Sequence, residues 1–164
     1  MANSSSPSIR WQDGTDGTVF YTLFDREIKV MLSDGGSQAY AQCCANILNS
    51  LSQKLIDDFC AASIRYCNGF LEEVGEPLRE FPHRASVLKL IEDGVLIVPE
   101  TPDHQLPVVH MELNCDWESE HGLELIIRDS RLIYLGSYDG YDPILSDQTF
   151  YGNYAIEKEA GGDD

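Results

Sequence analysis

Basic residues are scarce in this sequence. The 11 Lys and Arg residues stand against 28 Asp and Glu residues, which gives a formal net charge of -17. Nucleic-acid binding depends on Lys and Arg that displace counterions from phosphates, so we expect no nucleic-acid partner. The same charge attracts basic proteins and speeds their encounter. In a simpler interpretation, the acidic excess only keeps the protein soluble.

Long apolar runs are also missing, since no stretch approaches the ~20 residues that cross a bilayer. Residues 1–9 have neither the basic nor the apolar region of a secretory signal. The five cysteines, an odd number, show no close metal-ligand spacing, which favours buried free thiols over a disulfide framework. We therefore expect a cytoplasmic protein with no membrane segment and no cofactor.

The length of 164 residues suits a single domain with a substantial core. Residues 1–16 are punctuated by Ser, Pro, Asp and Gly and are predicted to be a loose lead-in. Residues 17–156 are predicted to form one α+β domain. Residues 157–164 are predicted to be a frayed acidic tail.

Helices are predicted in the middle of the chain, where apolar residues recur at three- and four-residue steps. A single helix over residues 37–74 would be about 57 Å long, too long for a domain of this size. Ser52 is therefore predicted to cap a second helix, and Gly75 with Pro77 to end it. Ser37 lies in a segment that offers a cap to the first helix.

Strands are predicted on both sides of the helices. Residues 18–24 and 27–32 favour a hairpin, because β-forming residues are followed by a clean alternation. A short helix is expected at 85–91, and further strands at 95–98, 108–113, 123–128 and 131–136. Such segregated elements predict an α+β fold, an antiparallel sheet with two central helices packed on one face.

The densest group of reactive side chains is the run from Cys115 to Glu124, which reads Cys-Asp-Trp-Glu-Ser-Glu-His-Gly-Leu-Glu. A metal site using Cys115 and His121 is one interpretation, although zinc sites usually need two ligand pairs. A general acid–base pair of His121 with a nearby carboxylate is another. In a structural interpretation, Trp117 packs on the sheet, the acids face water and Gly122 permits a bend.

A partner-binding surface is the remaining interpretation, in which an aromatic side chain ringed by carboxylates docks on a basic patch. On this hypothesis, replacing Trp117 or reversing the charge of Glu118 and Glu120 weakens binding. No catalytic residue and no metal ligand is predicted, since there is no nucleophile elbow and no phosphate loop. The predicted binding residues are Asp116, Trp117, Glu118, Glu120, His121, Glu124, Tyr138, Asp139 and Tyr141.

The Cys-Asp-Trp-Glu-x-Glu-His-Gly-Leu-Glu run resembles a motif of an uncharacterised family of small bacterial proteins. The closing residues 131–140, Arg-Leu-Ile-Tyr-Leu-Gly-Ser-Tyr-Asp-Gly, are similar to that family's last pair of strands. Families of this kind are suspected of acting as immunity proteins beside polymorphic toxins. The resemblance implies a bacterial cytoplasmic protein, supplies no catalytic residues, and does not extend past Tyr141.

Three functions follow from these observations. The first is a non-catalytic protein-binding module, an immunity-like inhibitor of a basic toxin domain. The second is an enzyme or metal-binding protein that uses the Cys115–His121 cluster. The third is a structural or scaffold domain whose acidic surface confers solubility.

Overall fold

A computed structural model describes residues 6–157 of the chain. The predicted acidic tail therefore lies outside the described residues from residue 158 onward. Seven strands, two α-helices and one 3₁₀ helix follow one another in the described range. They are β1 (Arg10–Trp11), β2 (Asp16–Tyr21), β3 (Arg26–Leu32), α1 (Gln38–Leu48), α2 (Gln53–Glu73), the 3₁₀ helix (Arg84–Leu90), β4 (Ile91–Val98), β5 (Val108–Cys115), β6 (Glu118–Arg128) and β7 (Arg131–Gly136).

The seven strands form one sheet in which they lie side by side in chain order. Neighbouring strands are antiparallel except β3 and β4, which run parallel with Leu32 opposite Val98. The α+β class is confirmed, and the sheet differs from the all-antiparallel prediction at this one pair. The difference arises because both α-helices lie between β3 and β4, so the chain returns through them to start β4 in the same direction.

The helix boundaries agree with the sequence-based prediction. The Ser37 hydroxyl accepts a hydrogen bond from the Tyr40 N–H at 3.0 Å, and the Ser52 hydroxyl accepts one from the Leu55 N–H at 3.2 Å. Both hydroxyls satisfy N–H groups that have no partner within their helix. Gly75 follows α2 with a φ of +77°, a conformation that favours glycine. Within residues 6–157, neither helix is long and apolar enough to span a bilayer.

Several strands extend beyond their predicted limits. β1 and the buried Ile9 lie within the predicted lead-in. β4 starts at Ile91, before the predicted strand at 95–98, and contains a bulge between Glu92 and Val95. β6 starts at Glu118, so most of the acidic run belongs to a strand. The connection between β5 and β6 is therefore only Asp116-Trp117.

The main hydrophobic cluster joins residues of both α-helices to alternate residues of the strands, such as Val109, Leu125 and Ile127. The intervening residue Ile126 belongs to a second, smaller cluster, because successive side chains of a strand point to opposite faces. Residues of the segment after β7, among them Tyr141 and Phe150, pack on this second cluster. The C-terminal segment therefore covers the sheet face opposite the main cluster at β6 and β7.

Candidate functional site

The acidic run around Glu118 folds largely onto itself. Glu118 is buried, and its carboxylate accepts hydrogen bonds from the backbone N–H groups of Glu120 at 2.8 Å and His121 at 3.1 Å. The imidazole Nδ1 of His121 lies 2.8 Å from the same carboxylate. We call these three residues the Glu118 clip. The Glu118 carboxylate is therefore already hydrogen-bonded by residues of its own strand, β6.

A bulge in β6 makes this local arrangement geometrically feasible. The register between β5 and β6 shifts between Leu113 and Cys115, which leaves extra residues on β6. Gly122 lies in the bulge with a φ of +68°, and a Cβ there would clash with the carbonyl oxygen of Leu113. The Tyr66 hydroxyl donates to the Gly122 carbonyl at 2.7 Å. The bend predicted at Gly122 is confirmed.

Trp117 and Cys115 lie inside the protein. Trp117 is 5% exposed, and its ring packs edge-on against Tyr66 at 5.4 Å between centroids. This burial contradicts the predicted role of Trp117 as an exposed docking aromatic and agrees with the packing interpretation. Burial also raises the pKa of the Cys115 thiol to about 12. A thiol that stays protonated is a poor metal ligand and a poor nucleophile.

The remaining side chains of the acidic run do not complete a reactive centre. Asp116 points outward and pairs with Arg79 at 2.7 Å, and the Glu120 side chain is exposed. The contact of His121 with Glu118, expected of an acid–base pair, is present. Among residues 6–157, no three His, Cys, Asp or Glu side chains are placed to hold a metal ion.

A second buried glutamate of β6 gathers the other predicted residues. Glu124 is fully buried, and its carboxylate accepts hydrogen bonds from three successive backbone N–H groups: Asp139 at 3.0 Å, Gly140 at 3.2 Å and Tyr141 at 3.0 Å. The imidazole Nε2 of His110 lies 2.6 Å from the same carboxylate. We call these five residues the Glu124 clip. It ties the loop after β7 to the face of the sheet.

Aromatic side chains close over the Glu124 clip. Tyr138 lies parallel to the His110 ring, with 6.5 Å between centroids, and Tyr141 stacks on Phe150 at 4.2 Å. Burial, followed by the nearby carboxylates of Glu112 and Glu124, raises the pKa of Tyr138. Four predicted binding residues, Glu124, Tyr138, Asp139 and Tyr141, are thus brought together. The other five are grouped separately around the β5–β6 turn.

A cleft of about 760 Å³ opens where three loops meet beside the Glu124 clip. Two of these loops, 33–34 and 99–103, follow β3 and β4. Because β3 and β4 are parallel, their carboxyl ends lie at the same edge of the sheet and the two loops touch. The Ser33 N–H donates to the Val98 carbonyl at 2.9 Å.

The third wall of the cleft, residues 140–145, is held in place by charged side chains of β6. The Glu124 clip fixes its first residues. The Arg128 guanidinium donates to the carbonyl oxygens of Pro143 at 2.7 Å, Ile144 at 3.0 Å and Ser146 at 2.6 Å. Hydrogen bonds to a charged group are among the stronger ones in proteins. The wall is therefore preorganised by residues that do not line the cleft.

Acidic and apolar groups share the lining of this cleft. Its four ionisable residues, all of them exposed acids, are Asp34, Glu100, Asp103 and Asp142. Among residues 6–157, no Lys or Arg lines it. Three prolines and Ile144 add apolar surface, and the side chain of Leu145 is 80% exposed at its rim. Such a lining suits a ligand with positive charges and aliphatic stems.

None of these four acids was among the predicted binding residues. Segments 33–37 and 99–103 contain the Ser, Gly and Pro residues typical of turns, and no local pattern in either segment singles out its acids. A prediction that β3 and β4 are parallel would have brought the two loops together. His110 is isolated in the sequence and is not among the predicted binding residues, although the alternation of β5 places it on the face opposite Val109 and Met111.

Comparison with known proteins identifies a family without assigning an activity. Residues 3–143 match the family described as "Domain of unknown function (DUF6985)". No curated protein and no solved structure matches the chain. The matched range contains both buried glutamates of β6 and ends at Pro143, inside the third wall of the cleft.

Proposed function

We propose that this chain, which belongs to the DUF6985 family, is a non-catalytic protein-binding module that holds a basic segment of a partner protein in the acidic cleft. The observation that carries the proposal is the lining of the cleft, where four carboxylates meet apolar residues and, within the described part of the chain, no Lys or Arg is present. The net charge of -17 supports it, because a field of this sign attracts basic partners from a distance.

The small free energy of a single exposed ion pair favours a partner segment that makes several contacts at once. One solvent-exposed ion pair contributes only about 0.2–1 kcal/mol. A partner segment with several Lys or Arg residues engages the four acids together and lays its aliphatic stems on Leu145 and the prolines. Because the Glu124 clip and Arg128 already hold one wall, the cleft loses little conformational entropy on binding.

The binding surface proposed here is displaced from the one predicted around Trp117. The Trp117 ring is buried, and the carboxylates of Glu118 and Glu124 already accept backbone hydrogen bonds. We therefore assign Glu124 to positioning of the cleft wall. Reversing the exposed charge of Glu120 should change binding only through the overall field.

Within this function, the partner class we propose is a basic toxin domain, which the chain would inhibit as an immunity-like protein. Charge complementarity supports this assignment, and the bacterial cytoplasmic setting stays a prediction from the sequence. An enzyme at the Cys115–His121 cluster has less support, because burial keeps the Cys115 thiol protonated. A scaffold role is the outcome expected if no basic segment binds.

The test uses a fluorescent peptide with alternating Arg and Leu residues, and measures its binding by anisotropy. In the cleft variant, Asp34→Asn, Glu100→Gln, Asp103→Asn and Asp142→Asn are combined. The Asn at position 142 retains the side-chain oxygen that accepts the Ile144 N–H. We expect the dissociation constant to rise about tenfold or more, a loss of at least about 1.4 kcal/mol.

A matched control removes four negative charges elsewhere. Glu72, Glu73, Glu76 and Glu80 are exposed at the end of α2 and beyond it, and each is changed to Gln. Both variants shift the formal net charge from -17 to -13, which is -17 plus four. We expect the control to bind within about twofold of the wild type, because screening confines surface charges to a Debye length of ~8 Å. If both variants weakened peptide binding equally, the peptide would be attracted by the overall charge of the protein, and the proposal that it binds in the cleft would be refuted.

A further inference from the structure

Within residues 6–157, β7 is the last strand of the sheet, and one side of its backbone has no neighbouring strand. The outward N–H and C=O groups of an edge strand are a template for pairing with another chain. Residues 148–155 run beside this edge and bind those groups, and we call them the edge cap. The edge cap lies beyond residue 143, where the family match ends.

The side chain of Asn153 takes the place of a neighbouring strand at the edge of β7. Its Oδ1 accepts a hydrogen bond from the Leu135 N–H at 3.1 Å, and its Nδ2 donates to the Ile133 carbonyl at 2.8 Å. One residue of a parallel partner strand would bind the same two groups with its peptide N–H and C=O. The Asn153 carboxamide therefore imitates a single residue of a strand.

Only one backbone–backbone hydrogen bond joins the edge cap to β7. The Tyr154 N–H donates to the Leu135 carbonyl at 2.8 Å. The Leu132 carbonyl is bound by the Gln148 side chain, again at 2.8 Å. The edge is thus satisfied mostly by amide side chains and lacks the continuous ladder of a paired strand.

Tyr154 anchors the edge cap to α2. Its ring stacks on Tyr66 at 5.3 Å and lies over Gly69, where an added Cβ would come within 2.7 Å of the Tyr154 hydroxyl. The Arg65 guanidinium donates to the Tyr154 carbonyl at 2.7 and 3.1 Å. On α2 the edge cap is therefore held by one aromatic ring, which lies over a position without a side chain, and by one guanidinium.

We infer that the edge cap is a displaceable guard of β7, and that its release lets β7 pair with β7 of a second copy of this chain. Leu135 directs both its N–H and its C=O outward, as each residue of a hydrogen-bonded antiparallel pair does. A two-fold axis beside Leu135 sets it opposite Leu135 of the second copy, and the two residues exchange both hydrogen bonds.

The sequence of β7 favours such pairing once the guard is gone. Between Arg131 and Gly136 the strand reads Leu-Ile-Tyr-Leu, without charge or proline. Charged residues and prolines are the usual devices that keep edge strands apart. Here the edge cap serves that purpose, and the inference does not rest on the proposed function of the acidic cleft.

The experiment releases the edge cap with the double variant Asn153→Ala and Tyr154→Ala in the full chain. Tyr151→Ala is the matched control, because Tyr151 belongs to the same segment and is 98% exposed. Sedimentation equilibrium measures the mass, and hydrogen exchange follows the Leu135 amide. Added salt limits repulsion between the acidic copies. We expect the double variant to sediment at twice the mass of the wild type, and the control at the wild-type mass.

Hydrogen exchange tests whether the two copies pair at Leu135 of β7. In the double variant, the Leu135 amide should exchange fast at low protein concentration and slowly at high concentration, whereas in the wild type it stays protected at both. A wild-type mass together with fast exchange at all concentrations would refute pairing. Protection of Leu135 in the double variant that equals the wild type at low protein concentration would refute the role of the edge cap as a guard.

A second variant acts from outside the edge cap and keeps the test decisive if the double variant does not fold. Gly69→Ala displaces the Tyr154 ring, while alanine is a better helix former than glycine and so does not weaken α2 itself. It should reproduce the doubled mass and the concentration-dependent exchange. Loss of the fold in both variants would show that the edge cap is an integral part of the domain, and would overturn the inference.

Discussion

The two clips of β6 use the same chemistry over very different spans of sequence. Glu118 binds N–H groups two and three residues away, whereas Glu124 binds N–H groups 15 to 17 residues away and a His 14 residues away. The Glu118 clip shapes only its own bulge. The Glu124 clip joins a loop to the sheet and so sets one wall of the acidic cleft. The position of the bound groups, and not the residue type, decides whether a buried glutamate acts locally or organises a site.

The surroundings of the two clips also differ. The imidazole bound by Glu118 is 61% exposed, and the one bound by Glu124 is 6% exposed. When a buried acceptor is lost, buried donors stay unpaired, whereas exposed donors turn to water. The loss of Glu124 should therefore destabilise the fold more than the loss of Glu118.

The largest effect is expected from Glu124→Ala. It leaves His110 and three backbone N–H groups without their acceptor, so unfolding in urea should show a loss of about 3–5 kcal/mol. Glu112→Ala is the control, because Glu112 lies directly opposite on β5 and is exposed. That variant should stay within about 0.5 kcal/mol of the wild type. A similar loss in both variants would contradict a special role for Glu124.

Gly122→Ala tests the bulge that makes the Glu118 clip local. A side chain at a φ of +68°, against the Leu113 carbonyl, should lower the free energy of unfolding by about 2–3 kcal/mol. Gly14→Ala is the matched control, since an added Cβ there meets nothing within 4 Å. Thermal unfolding compares the two variants. Equal melting temperatures would mean that β6 accepts a side chain in the bulge.

Glu118→Ala should have a smaller effect, about 1–2 kcal/mol, because its donors are local and the His121 side chain is exposed to water. Glu118→Gln keeps one acceptor oxygen and should lose less. Urea unfolding measures both variants, with His121→Ala as an exposed control near the wild type. A loss from Glu118→Ala as large as that from Glu124→Ala would remove the distinction between the clips.

The smallest effect on stability is expected at alkaline pH, and it tests the burial of Cys115 beside the Glu118 clip. Burial raises the pKa of Cys115 from 9.0 to about 12. The contribution of the buried, protonated thiol to stability is complete below pH 9. It decreases as the pH rises from 9 toward 12, because the Cys115 thiol then ionises in the unfolded chain while it stays protonated in the folded protein. Relative to Cys115→Ala, the wild type should lose about 1 kcal/mol between pH 9 and pH 10. A constant difference across this range would contradict burial of the thiol.

Many features of the fold could be read from local sequence. Ser52 was recognised as the start of the second helix, because a cap and a break in a long apolar period involve neighbouring residues. The bend at Gly122 was recognised for the same reason. The parallel pairing of β3 with β4 was missed, because it depends on where α1 and α2 return the chain. The full length of β6 was missed too, because polar residues within a bulge conceal the alternation of a strand.

The sequence by itself determined the acidic charge, the α+β class and most element positions, since these follow from composition, apolar spacing and capping within a few residues. Only the tertiary structure decided that Trp117 is buried, that Glu124 meets residues 139–141, and that Asp34, Glu100, Asp103 and Asp142 share one cleft. These contacts depend on strand order and register, which minimise exposed apolar surface over the whole chain. No short segment contains that information, because each segment contributes only part of the burial.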